Sequence, residues 1–181
     1  EHAPKIVTGN FDCSGNELTS LEYAPKIVKG NFDCSSNQLT SLEHAPKAVG
    51  GDFVCFVNNL SSLEHAPEIV KGNFLFAFNR LTTLDGGPNE VRGKFDCRGK
   101  NLNSLVGGPK TVEGDFLWSI NSHSSLEGAP KVVGGDFNCC GNSGQFTEED
   151  IRKVCQAGGQ VVFIGPKPKM SPKRRGSGPQ G

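Results

Sequence analysis

Seven cysteines and four histidines are the residues of this sequence best suited to chemistry. Five of the cysteines, Cys13, Cys34, Cys55, Cys97 and Cys139, fall at multiples of 21 residues from one another. Thiols so spaced suggest a metal or disulfide ladder. No C-x-x-C pair accompanies them, which argues against zinc, and the adjacent Cys13, Cys34 and Cys55 cannot all pair. A buried column that wants a small apolar side chain accounts for all five, and free thiols point to a reducing compartment. Cys140 lies in an outward column and is expected to be exposed, but no base is positioned to activate it.

His2, His44 and His65 share a column with Tyr23, beside an acidic column of Glu1, Glu22, Glu43, Glu64, Asp85 and Glu127. Imidazole next to carboxylate can bind metal or move protons. Both columns are copied with the repeat, however, and Lys5, Lys26, Lys47, Lys110 and Lys131 balance the charge, as on a solvated face. A catalytic site should break the repeat in one place. His123 does break it, but no Ser, Asp or Cys partner can be assigned. The hydroxyl pairs Thr19-Ser20, Thr40-Ser41, Ser61-Ser62, Thr82-Thr83 and Ser124-Ser125 form a regular row that turn solvation explains; the T-x-T spacing of ice-binding arrays is absent. The sequence therefore assigns no catalytic residue, no metal set and no cofactor, and the chain is not expected to be an enzyme.

The element that must position these residues is a repeat. Pro stands at 4, 25, 46, 67, 88, 109 and 130, and Val, Gly and Phe columns follow it at 7, 9 and 11, each filled in all seven units. Asn fills the column of Asn16, Asn37, Asn58, Asn79, Asn121 and Asn142, with Lys100 the exception; two Leu columns start at Leu18 and Leu21. The unit is P-x-x-V-x-G-x-F-x-C-x-x-N-x-L-x-x-L. One unit cannot bury its own apolar side chains, but stacked units bury each other's. The alternation in G-x-F-x-C predicts a short strand with Phe and Cys inward, stacked in a parallel sheet. The Asn column predicts a turn whose amide satisfies backbone groups. The Pro column forbids helix on the return segment, which is expected to be extended or polyproline-like.

The string F-x-C-x-x-N-x-L resembles the heart of the leucine-rich repeat, with Phe and Cys in two Leu places. The run Leu39-Thr40-Ser41-Leu42-Glu43-His44-Ala45-Pro46-Lys47, continuing to Asn58, is similar to the 21-residue Pro-containing repeats of tailed-phage and bacterial leucine-rich-repeat proteins, related in style to the effectors of the YopM and IpaH kind. The resemblance covers about residues 1–165. It implies a mainly β solenoid, a right-handed coil of short parallel strands, and an interaction scaffold. Thr8, Lys29 and Gly50 depart from the usual Leu.

Three segments follow: seven repeats over residues 1–145, a helix–strand cap over 146–164, and a disordered basic tail over 165–181. The array opens inside a repeat, so an upstream part is expected. The cap is read from Thr147 and Asp150 as a capping box, a helix over 148–157, a stop at Gly158-Gly159 and a last strand over 160–164. The whole chain carries 19 basic and 19 acidic residues, which argues against nucleic-acid or membrane binding by bulk charge. Five of those basic residues lie in the tail, the one segment that could meet a polyanion. No run of 18 apolar residues is present.

Function is sought where the repeat stops dictating identity, on the outward positions of the strands. Coils three and four place Val54, Phe56, Leu75 and Ala77 there, flanked by Asp52, Asp96 and Arg98. An apolar centre with a charged rim is the anatomy of a protein interface. The expectation is a non-catalytic recognition module that binds an unidentified protein through its strand face. Rival readings are a structural or accessory part of a larger assembly such as a phage virion, or the recognition half of a bacterial effector.

Overall fold

The computed structural model describes residues 4–99, 101–122, 124–144 and 146–163. The readings made above for Lys100, His123, the first three residues and the tail lie outside these. The described chain is a mainly β parallel solenoid of seven coils with an eighth that closes it.

Each repeat contributes a front strand at its Phe column, from Phe11–Asp12 through Phe137–Asn138. These strands and Val161–Val162 form one eight-stranded sheet in chain order, every neighbour parallel and in register with a 21-residue step until the last pair. The Phe rings consequently stack in a single column, with centroids 5.3 Å apart for Phe32 and Phe53 and 5.1 Å for Phe116 and Phe137. From Phe32 to Phe137 each ring is fully buried. Phe76 and Trp118 fill the two gaps in the Cys column and extend this core. The Phe76 ring lies edge-on to Phe95 at 5.0 Å, and Trp118 lies against Phe146 of the cap at 5.7 Å.

The return segments are extended, as the prolines require, but they also pair. Two-residue back strands at the Val column, beginning with Ile6–Val7, form a second row. This row is split. Ile6–Val7, Ile27–Val28 and Ala48–Val49 make one sheet; Ile69–Val70 and the four later back strands make another. At six coil-to-coil steps a pair of main-chain bonds holds the row together, such as Lys47 N–H to Lys26 O and Gly50 N–H to Val28 O. At the step from coil three to coil four the row is not bonded.

The cap differs from its sequence reading in a physically simple way. The helix is Glu148–Val154, with the expected capping box between Thr147 and Asp150, and Cys155 already leaves it in extended conformation. Gln156–Ala157 then pairs with Val132–Val133, and Val161–Val162 with Phe137–Asn138. Gly158-Gly159-Gln160-Val161-Val162-Phe163 is thus an eighth G-G-x-F-x-C segment, displaced by 24 residues because a helix replaces the turn.

Asparagines stitch the coils together. Asn58 donates from Nδ2 to the carbonyls of Cys34 (3.0 Å) and Cys55 (3.3 Å), while its Oδ1 accepts the Leu39 N–H (3.0 Å). Asn37 and Asn121 do the same in their coils. The hydroxyl row has a comparable duty. Ser20, Ser41, Ser62 and Ser125 each accept the N–H two residues on, at 2.9–3.1 Å, the bond of a serine turn.

Candidate functional site

The front-sheet register places Val54 beside Leu75, and Leu75 beside Asp96. In the next outward row Phe56, Ala77 and Arg98 are likewise one coil apart. The seven residues singled out in the sequence therefore do come together on one face. Their exposure is lower than an outward position suggests: Val54 is 8% and Ala77 4% exposed, and Phe56 and Leu75 are half-buried. Coils spaced about 4.8 Å apart leave little room, so a short side chain such as Ala77, set between Phe56 and Arg98 in its row, is covered by its longer neighbours.

The charged residues of this face are engaged within the fold. The Arg98 guanidinium forms a two-pronged ion pair with Asp96, Nε to Oδ1 at 2.8 Å and Nη2 to Oδ2 at 2.6 Å, with Asp96 buried. That hydrogen bonding raises the Arg98 pKa above its ordinary value. Asp52 Oδ1 accepts the Asn73 N–H at 2.7 Å. Its column, which the sequence reading took to be free, is in fact required. Asn10, Asn31, Asp52, Asn73, Asp115 and Asp136 each bind a main-chain N–H of the following coil. Lys94 interrupts the series and pairs instead with Asp115 at 3.2 Å. Asp115 sits below the usual carboxylate range, first through the Asp136 N–H and then through Lys94.

One set of residues escaped the sequence reading. Val57, Phe78 and Ile120 follow the outward strand positions and are 46%, 59% and 50% exposed. Their backbones are left-handed, with φ of 52°, 57° and 59°. The equivalent position holds Gly15 (φ 65°), Ser36 and Gly141 (φ 75°) elsewhere. Left-handed backbone costs a side chain with a Cβ about 1–2 kcal/mol, most for a β-branched one. Val57 and Phe78 occupy neighbouring coils and continue the Phe56 and Leu75 patch onto the turn. The available signal was bulky apolar residues in a column otherwise held by Gly and Ser.

Most thiols of the repeating column lie inward as expected, whereas Cys140, expected to be exposed, is half-buried. Cys34, Cys55, Cys97 and Cys139 are buried, Cys13 and Cys140 half-buried, and all seven are free. Burial pushes the Cys139 thiol up to about 11, and Cys13 likewise to about 11. Such thiols stay protonated and unreactive. Cys155, at the end of the cap helix, is buried as well. Among the described residues no three His, Cys, Asp or Glu side chains gather as a metal site, and no helix is long and apolar enough to cross a membrane. Compared with known protein families, curated proteins and solved structures, the chain gives no match.

Proposed function

We propose that the chain is a non-catalytic, leucine-rich-repeat-like recognition module that binds a protein partner through the front face of coils three and four. The observation that carries this reading is the pair Val57 and Phe78, exposed apolar side chains held on left-handed backbone beside half-buried Phe56 and Leu75. The turn itself does not demand them, since Gly15 and Gly141 take the same left-handed backbone without a Cβ. Aromatic residues carry a disproportionate share of interface energy, and strain tolerated at an exposed position marks function rather than packing. The Asp96–Arg98 pair supplies a fixed polar edge. Asn columns that bond coil to coil support the leucine-rich-repeat reading of the turn.

The test replaces Phe56 and Leu75 by Ser together. Both side chains are half-buried, so a stability loss of about 1–2 kcal/mol is expected, with the fold intact by circular dichroism. A partner captured by the native protein, and identified by mass spectrometry, should no longer be retained. Full retention by the folded double variant places recognition on another surface.

A further inference from the structure

The back of the same two coils carries a second site. The unbonded step in the back row lies between Ala48–Val49 and Ile69–Val70. By the pattern of the other steps, the Glu68 and Lys71 N–H groups should meet the carbonyls of Lys47 and Val49, and they do not. A groove of about 1090 Å³ lies along this seam. Its floor is apolar, made by Ala45, Ala48, Pro67 and Ile69. Ala48 helps to open it: the same column holds Ile6, Ile27 and Ile69, and Ala is the smallest residue in that column.

The walls are built under strain. His44 and His65 line the groove with φ of 69° and 72°, at a position where Gly86, Gly107 and Gly128 take φ of 79–83°. Imidazoles thus stand where the later coils use glycine. Lys26, Lys47 and Lys71 complete the rim against Glu43 and Glu68, and His44 Nε2 lies 3.8 Å from Glu43 Oε1. Three Lys against two Glu make the rim net positive. The body around it is not, because residues 1–164 hold fourteen basic and nineteen acidic residues. A cationic rim over an apolar floor, with unbonded main-chain N–H groups along the seam, suits carboxylates carried on an apolar chain.

We propose that this groove binds an extended acidic peptide segment with apolar anchors, on the face of coils three and four opposite the front patch. Carboxylates meet Lys26, Lys47 and Lys71, and an apolar side chain rests on Ala48 and Ile69. The site does not depend on the front patch, and its test leaves that patch unaltered.

The probe is a fluorescein-labelled Asp-Glu-Leu-Asp-Glu-Leu-Glu peptide, followed by fluorescence anisotropy against the full chain, with the same peptide carrying Lys at every acidic position as comparison. The acidic peptide should bind at least tenfold more tightly. Ala48→Ile, which fills the floor without changing charge and restores the residue of the neighbouring coils, should weaken binding about tenfold with an unchanged melting curve. Lys47→Glu with Lys71→Glu should weaken it at least as much. Lys110→Glu with Lys131→Glu, each just before a back strand whose bonding is intact, should leave it within twofold. Equal affinity for both peptides, full binding by Ala48→Ile, or an equal loss in the Lys110/Lys131 pair each overturns the proposal.

Discussion

If Val57 is retained for contact and not for the fold, the protein should tolerate its removal or gain from it. Val57→Asn is the informative change. Asn enters left-handed backbone readily, so the substitution relieves about 1–2 kcal/mol of strain, near the upper end for a β-branched residue. Against this stands lost burial. Full burial of a Val side chain is worth about 1.5 kcal/mol, and at 46% exposure roughly half of that is realised, about 0.8 kcal/mol. The net expectation is a gain of about 0–1 kcal/mol. Phe53→Ala, four residues before Val57 in the same coil and in the fully buried ring column, should instead cost about 3–5 kcal/mol. Urea unfolding followed by the fluorescence of buried Trp118 reads both, and for a chain of this length each kcal/mol moves the melting point by about 2–4 °C. A loss above about 1 kcal/mol in Val57→Asn would mean that the side chain is a packing element, and the strain argument for the patch would fall with it.

Asn58→Ala should cost about 3 kcal/mol or more, because it removes the partner of three main-chain groups in a buried turn; a loss under 1 kcal/mol, measured by the same unfolding assay, would show that water replaces the amide. In the native protein a maleimide reagent should label Cys140 first and Cys13 slowly, leaving the five buried cysteines to react only in denaturant; mass spectrometry of the digested protein gives the order, and early labelling of Cys34 or Cys55 would contradict the inward register of the front strands.

The coil was legible because a 21-residue repeat leaves few ways to bury Phe, Val, Leu and Cys columns at once. The inward side of G-x-F-x-C and the bonding role of Asn58 follow from alternation and turn chemistry alone. The back row was not legible: Ile69–Val70 is a two-residue strand after a proline, too short for any period to register. The closing coil was hidden by its helix, which shifts Gly158-Gly159-Gln160-Val161 from a 21-residue step to 24 and conceals a repeat whose residues still match Gly134-Gly135-Asp136-Phe137.

The site divided along a different line. Outward columns were read as free of the fold, but Phe56 and Leu75 are half-buried and the oxygen of Asp52 bonds the next coil. Variation among side chains cannot reveal that duty, because Asn and Asp both perform it. What does carry information is disagreement between a residue and the backbone it sits on. Gly86 at φ 79° and Gly141 at φ 75° agree with theirs and say only that a turn exists. His44, His65, Val57 and Phe78, in coils three and four, disagree with theirs; Ser36 in coil two and Ile120 in coil six are the other two such residues among those described. Two lie on the back groove and two at the front patch, so the same pair of coils bears strain on both faces that the other coils largely avoid with Gly. The seam in the back row falls between these same coils. Contacts made on either face are therefore made at the one step, among the described residues, where the back strands do not pair and the coils are joined by the front sheet, the Gly72 N–H to Gly51 O bond and the Asp52 and Asn79 side chains; with one row of bonds fewer, that step is where a bound partner would bend the array most easily.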